Sequence, residues 1–143
     1  MNLAEPIRTA LVGSATITSN LPAYLGSYTV FTRQPVPADA DFPMILVSSG
    51  FQGSEEDGLR DERPLLVRDV LVYGQNDTAA NYRVVEDIAF AVRALFHRAR
   101  TAIVVSGWSV VDIVAQGPSP APVDDEQTVG RRVELTVRLA RQT

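Results

Sequence analysis

Residues 79–98 carry apolar side chains at the spacing of one helix face, and this segment constrains the possible folds more than any other. The apolar stripe consists of Val84, Val85, Ile88, Ala89, Val92, Leu95 and Phe96. Asp77 or Thr78 can cap the start of this helix, and charged residues occupy its remaining positions. At 1.5 Å per residue the helix is about 30 Å long, so it crosses a whole small sheet and buries its stripe there.

Strand patterns surround this helix. Residues 27–33, 43–49 and 64–73 precede it, and residues 107–115 and 128–141 follow it. The last segment alternates cleanly between two faces. One face carries Val129, Val133, Leu135, Val137 and Leu139 together with Arg131, and the other carries Arg132, Glu134, Thr136 and Arg138.

The order of the elements predicts the fold class. A short helix over residues 3–12, capped by Asn2 and ended by Gly13, opens the chain. The order is then α-β-β-β-α-β-β, which predicts an α+β domain with a mostly antiparallel sheet of about five strands and both helices packed on it. The length of 143 residues fits a single domain over residues 1–143.

Two connections are expected to project from this domain as loops. Residues 50–63 contain seven charged residues and three glycines, and residues 117–126 are rich in proline. Connections of this length and polarity are usually functional or disordered. We expect a deletion of residues 55–59 to leave folding intact.

Composition narrows the classes of function. The formal net charge is −4, which argues against a protein that grips nucleic acid through its phosphates. All 13 basic residues are arginine, which we interpret chiefly as a codon bias. Cysteine is absent, and no stretch approaches the roughly 20 apolar residues that a membrane-spanning helix needs. The start of the chain lacks a signal-peptide pattern, so we expect synthesis in the cytoplasm.

The chain offers little for catalysis, metal binding or cofactor binding. His97 is the single histidine, and it lies at the end of the long helix among arginines, where a solvated imidazole is the simpler interpretation. Asp69 and Asp112 interrupt apolar strands and are the best candidates for an acid–base carboxylate pair. The simpler interpretation pairs each of them with solvent or with an arginine such as Arg68 or Arg131. We therefore predict no enzyme activity, cofactor or metal.

The layout of the whole chain resembles a known family. The N-terminal helix ends in LVG, and the segment QPVP from Gln34 leads into the strand FPMILV from Phe42. A strand ending in LVY at Tyr73 enters the long helix, and the last strand carries RVELTV from Arg132. This arrangement resembles the tail-completion family of long-tailed siphovirus-like phages and gene transfer agents, to which tail terminators belong.

The resemblance implies a virion protein of the tail or neck that forms a ring, usually a hexamer. One ring face would match the tail tube protein and stop its polymerisation, and the other would dock the head–tail connector. DNA would pass through the lumen without specific binding, and no membrane would be involved.

Within this picture the two projecting loops and three strand arginines are the candidate protein interface. The candidate residues are Phe51, Glu55, Glu56, Asp57 and Leu59 on the first loop, Pro118, Pro120, Asp124 and Asp125 on the second, and Arg131, Arg132 and Arg138 on the last strand.

Three other functions remain open at this point. The nearest is another neck component, a stopper or head-completion protein, which makes a similar ring. A small enzyme using Asp69 and Asp112 predicts both carboxylates in one concave pocket. A ligand-binding domain predicts a deep apolar cavity and a monomer.

Overall fold

The computed structural model describes residues 3–34, 36–48, 64–123 and 126–142, together with the backbone of residues 55–56. Within these ranges the chain forms a mixed α+β fold. Its principal elements follow the predicted order α-β-β-β-α-β-β, so the fold class is confirmed.

Three helices lie within the described ranges, at Ala4–Val12 (α1), Ala15–Thr18 (α2) and Ala79–Phe96 (α3). The hydroxyl of Thr78 caps α3 by accepting the N–H of Asn81 at 3.1 Å. The cap position of α1 is Leu3, which makes no side-chain capping bond, and the predicted cap Asn2 lies outside the described residues. The α1 helix ends at Gly13 as predicted.

Eight strands are described. They are Ala23–Tyr24 (β1), Ser27–Tyr28 (β2), Val30–Phe31 (β3), Met44–Ser48 (β4), Glu55–Glu56 (β5), Leu65–Gln75 (β6), Trp108–Pro120 (β7) and Thr128–Arg141 (β8). The main sheet has the order β3-β4-β6-β8-β7, with β5 paired to one end of β6. Its described pairings are antiparallel except β3–β4, and β1 and β2 form a separate small hairpin.

Strand register separates the sheet into two faces. Val133 lies opposite Val70, and Val137 lies opposite Ile113, so these side chains share the face that packs on α3. We call it the helix face, because α1 and α2 contribute to the same core cluster. The buried residues of β8 are Val129, Gly130, Val133, Leu135, Val137 and Leu139. Five of them are the predicted apolar positions, so the predicted alternation is confirmed.

The core forms because each helix buries one apolar stripe on this face. Ile88, Val92 and Phe96 of α3 are fully buried there, as are Ile7 and Leu11 of α1. Burying an aliphatic or aromatic side chain of this size contributes roughly 1.5–3 kcal/mol. The opposite face, which we call the outer face, carries none of the described helices.

Both predicted loops differ from expectation. Residues 117–120 belong to β7, where Ser119 and Pro120 lie opposite Arg132 and Arg131. Glu55 and Glu56 pair with Leu66 and Leu65, so residues 50–63 are not a continuous projecting loop. A deletion of residues 55–59 therefore removes a strand from the sheet, and the expectation of undisturbed folding no longer follows.

The N-terminal third of the chain contains more structure than the sequence indicates. Residues 14–25 carry no strong helix or strand pattern, but they include α2 and β1. The predicted strand over residues 27–33 is divided into β2 and β3, because Ser27 and Tyr28 pair with β1 whereas Val30 and Phe31 pair with β4.

Candidate interaction surfaces

The outer face presents charged residues in rows across the sheet. Register places Glu134 between Asp69 and Gln116, and Arg138 lies four residues further along β8. Arg132 lies two residues from Glu134 in the other direction. Two of the predicted interface arginines, Arg132 and Arg138, therefore lie on the outer face, where a neighbouring protein has access to their half-exposed side chains.

Asp69 is the most buried charged residue on this face, with 1% of its surface exposed. Its Oδ2 atom lies 3.9 Å from Nη1 of Arg132, which places it in an ion pair with the adjacent strand. A buried carboxylate needs a nearby positive charge, because desolvation opposes its ionised form. This pairing gives Asp69 a structural role within the sheet.

Asp112 lies far from Asp69. The two residues are separated by the whole width of β8 and by four residues along it, which corresponds to about 10 Å across the sheet and about 13 Å along it. Asp112 forms an ion pair with Arg98. The structure thus does not bring the two carboxylates of the proposed acid–base pair together.

Arg131 points to the helix face, unlike its neighbour Arg132. Its Nε donates to Oε1 of Glu86 at 2.5 Å, and another guanidinium nitrogen donates to the hydroxyl of Tyr82. The guanidinium carbon also lies 5.1 Å from the centre of the Tyr82 ring, which favours a cation–π contact. Arg131 therefore ties β8 to α3 within one chain.

A second, smaller apolar cluster lies on the outer face. Leu46, Leu71 and Ala121 are buried in it, and Phe31, Val36 and Tyr73 cover them incompletely. Two more apolar side chains near this end of the sheet are exposed, Phe42 at 38% and Val123 at 41%. The outer face thus combines charged rows with an apolar region, a composition typical of protein interfaces.

The β7 edge of the sheet is closed to strand addition. Shifts in register occur between Val110 and Asp112 and between Gln116 and Ser119. The backbone N–H of Arg98 donates to the carbonyl of Ile113 at 2.8 Å, and the N–H of Ala115 donates to Nδ1 of His97 at 3.2 Å. Bulges and covering groups of this kind protect sheet edges from pairing with other chains.

The β3 edge is closed in a different way. Nε of Arg8 donates to the carbonyl of Val30 at 3.1 Å, so an α1 side chain occupies a backbone acceptor there. The small hairpin lies beside this edge, with the Tyr24 ring packed edge-on against Phe31 at 5.5 Å. The Tyr24 hydroxyl donates to Asp39 at 2.8 Å, and this bond raises the pKa of Tyr24.

The predicted loop contacts are only partly described. Pro118 is half-buried and Pro120 is exposed, both on β7. The backbone of Glu55 and Glu56 forms β5. Phe51, Asp57, Leu59, Asp124 and Asp125 lie outside the described residues, so their part in an interface stays a prediction.

Sequence patterns did not indicate which large apolar side chains are the most exposed among the described residues. Leu25 is 88% exposed at the tip of the small hairpin, and Val104 is 82% exposed between α3 and β7. Phe90 is 58% exposed on α3. Only the position of Phe90 outside the predicted apolar stripe gave a signal, because the exposure of the other two depends on tertiary structure.

The described residues form only shallow, open sites for small ligands. In the described ranges, no three acidic or histidine side chains are grouped to hold a metal ion. Open grooves occur at the start of α3 and beside the small hairpin. No helix within those ranges is long and apolar enough to cross a membrane.

Comparison with solved structures identifies a similar chain in the virion of a native gene transfer agent (GTA) particle. The TM-score is 0.61 at 19% sequence identity, and the match covers 99% of this chain and 95% of the other. The two chains share a fold. Because the alignment is nearly complete on both sides, the likeness includes the sheet, the long helix and the N-terminal helix.

Comparison by sequence finds no match for this chain. No protein-family model matches the chain. No curated protein matches it either. The relation to the GTA virion chain is therefore one of structure at low sequence identity.

Proposed function

We propose that this protein is a structural component of a phage-like or gene transfer agent virion, and that within it the chain acts as a tail terminator. The observation that carries the proposal is the full-length likeness to a chain of the GTA virion. The order of elements supports the same assignment, since it was matched to the tail-completion family from the sequence layout.

The mechanism follows from assembly geometry. A tail tube grows by repeated stacking of identical rings, which is an open assembly with no intrinsic end. A terminator forms a ring, here taken as a hexamer, with one side that fits the tube and another that does not accept a further tube ring. The second side then binds the head–tail connector.

The surfaces of this chain suit such a subunit. All described helices lie on one side of the sheet, so the two sides of the molecule differ in shape and chemistry. The outer face offers Arg132, Arg138 and Glu134 for polar contacts, beside the apolar cluster around Leu71. A net charge of −4 disfavours tight binding to DNA that passes through the ring.

Deletion of the gene in the particle-producing cell tests the proposal. We expect heads and tails that fail to join, with tails of irregular length, and we expect the native chain supplied in trans to restore joined particles. Negative-stain electron microscopy measures both. Gold-labelled antibody against the chain should mark the end of the tail nearest the head.

The same images separate the neighbouring assignments. Label on the portal side of the neck, with tails of normal length in the deletion strain, would assign a stopper or head-completion protein instead. Normal, joined and infective or gene-transferring particles without the chain would overturn the virion assignment altogether.

A further inference from the structure

One groove lies beside the small hairpin, and two arginines line it. Its volume is about 390 Å³, within the range of roughly 300–1,000 Å³ in which proteins hold drug-sized ligands. Arg8 comes from α1, and Arg33 comes from the segment that follows β3. The described residues that line the groove include no Asp or Glu. We call this site the arginine groove.

The protein holds Arg8 in one position. Its Nε donates to the carbonyl of Val30 at 3.1 Å, and its Nη2 lies 3.4 Å from the hydroxyl oxygen of Ser27. A guanidinium has five N–H donors, so three remain for another acceptor. Because the side chain is already ordered, a ligand that binds Arg8 does not have to immobilise it.

Neither arginine has a carboxylate partner within the described part of the chain. Arg8 is half-buried and contacts two neutral oxygens, whereas Arg33 is exposed and makes no hydrogen bond or ion pair there. By contrast, three other arginines are paired with acidic residues, namely Arg98, Arg131 and Arg132. A partly buried positive charge is normally matched by a negative one, because burial removes part of its hydration. The arginine groove therefore favours a negatively charged ligand.

The other walls of the groove are largely apolar or aromatic. Tyr28, Phe31 and Pro37 contribute to them, together with Leu25 at the tip of the small hairpin. A suitable ligand thus has a negative group for the guanidinium groups and apolar atoms beside that group. An Asp or Glu next to an apolar residue in a peptide has both, and a carboxylate fits the fork of a guanidinium through two parallel hydrogen bonds.

The groove suits an acidic protein segment better than a nucleic acid. The rings of Tyr24 and Phe31 pack edge-on at an interplanar angle of 79°, so they do not form parallel platforms for stacked bases. The Tyr24 hydroxyl donates to the carboxylate of Asp39 at 2.8 Å, so a row of phosphates would meet a negative charge close to the groove. The net charge of −4 on the whole chain adds to this repulsion.

We infer that the arginine groove binds an acidic segment of a partner protein, with one carboxylate of that segment between the guanidinium groups of Arg8 and Arg33. This inference rests on the proposed function and deepens it, because it states the chemistry of one partner of the virion subunit. The segment binds through side chains, since the carbonyl of Val30 on β3 already accepts from Arg8.

Selection from a random heptapeptide library displayed on phage, with the full chain as bait, tests the inference. We expect the enriched peptides to contain an Asp or Glu beside an apolar residue. The strongest of them, synthesised with a fluorescent label, is then titrated with the protein by fluorescence anisotropy. Replacement of its Asp or Glu by Asn or Gln should weaken binding by about tenfold or more, because a charge-assisted pair is lost.

Charge reversal at the groove should have a similar effect. Arg33→Glu changes an exposed side chain that makes no described contact, so the fold is expected to persist, and we expect the same peptide to bind about tenfold more weakly or worse. The matched control is Arg83→Glu, which makes the same change in net charge at an exposed position on α3 outside the groove. It should leave peptide affinity nearly unchanged, and circular dichroism checks the fold of both variants.

Nuclear magnetic resonance locates the bound peptide. Addition of the unlabelled peptide to the isotope-labelled protein should shift the backbone amide signals of residues 24–33 and the Nε signal of Arg8. The signals of α3 around Arg83 should stay in place. Shifts confined to residues outside the groove would overturn the assignment of the site.

The remaining outcomes separate this inference from the proposed function. Enriched peptides without a carboxylate, or equal affinity for the native chain and for Arg33→Glu, overturn the inference. Displacement of the labelled peptide by a short single-stranded oligonucleotide or by inorganic phosphate at lower concentration than by unlabelled peptide also overturns it. Normal particles after deletion of the gene would refute the virion function while peptide binding stands, whereas defective particles without any acidic-peptide binding would do the reverse.

Discussion

Leu25 is a residue whose conformation and exposure are both unfavourable for an isolated molecule. A leucine at φ of 46° is in the left-handed region, where its Cβ approaches the following carbonyl at a cost of roughly 1–2 kcal/mol. The side chain is almost fully exposed, so packing within the chain does not offset this cost. Strained residues that persist in this way often serve a function.

Replacement of Leu25 by asparagine should stabilise the small hairpin. The turn then reads Asn-Gly, and both residues favour the positive φ values that Leu25 and Gly26 adopt. We expect the free energy of unfolding of the monomer to rise by about 0.5–1 kcal/mol. Urea denaturation measures this change. A variant that is less stable as a monomer would contradict the assignment of strain.

Arg131 and Glu86 form a half-buried ion pair that is expected to matter more than an exposed one. Their side chains are 17% and 27% exposed, and Tyr82 shares the guanidinium. Arg131→Ala leaves both partners without their donor, so we expect a loss of about 1.5–3 kcal/mol in the free energy of unfolding.

Arg98→Ala is the matched control for this measurement. Its pair with Asp112 is exposed at 63% and 38%, and such pairs contribute about 0–1 kcal/mol. Chemical denaturation compares the two variants. Equal losses in the free energy of unfolding would show that the contact between Arg131 and α3 contributes no more than an exposed ion pair.

At the level of elements, α3 sits close to the sheet because Gly74 leaves room for it. A Cβ at this position would lie 2.2 Å from Cγ2 of Val85, which is far inside contact distance. Val85 is buried and β-branched, so its side chain has few alternative rotamers. The close approach of helix and strand therefore depends on glycine here.

Gly74→Ala should force α3 away from β6 and destabilise the fold by about 1–3 kcal/mol. Val85→Ala removes the clashing methyl groups, so the double variant Gly74→Ala/Val85→Ala should lose less than the sum of the two single changes. Thermal or urea unfolding of the four proteins in a double-mutant cycle measures the coupling. Strict additivity would show that the two side chains do not meet.

Prediction from sequence succeeded where a regular pattern dominates. The stripe of α3 and the alternation of β8 were both confirmed, because burial on one face imposes a fixed period on the residues. Prediction failed for residues 117–120, where pairing with β8 extends an edge strand through prolines that locally favour a loop. The exposure of Leu25 and Val104 was missed because neither residue belongs to a periodic pattern.

At the level of the whole molecule, the two sides and the two edges all differ. The helices cover one side of the sheet, whereas charged rows and a partial apolar cluster occupy the other. Because its surfaces differ from one another, such a subunit is suited to an assembly in which it contacts each neighbour through a different surface.

The net charge gives a prediction for the whole molecule. At −4 the protein should not retain double-stranded DNA at about 150 mM salt, because few phosphate charges can be neutralised without opposing repulsion. An electrophoretic mobility assay at protein concentrations sufficient for ring formation measures this. A salt-resistant shift of the DNA would contradict the idea that DNA passes such a ring without adhering.

The closed strand edges also affect how readily the protein aggregates. Unprotected strand edges of different molecules can pair with one another and grow into fibrils. His97, Arg98 and Arg8 occupy the backbone groups that would begin such growth. Substitution of His97 or Arg8 by alanine should therefore speed the aggregation of the purified protein while leaving the fold of the single molecule unchanged.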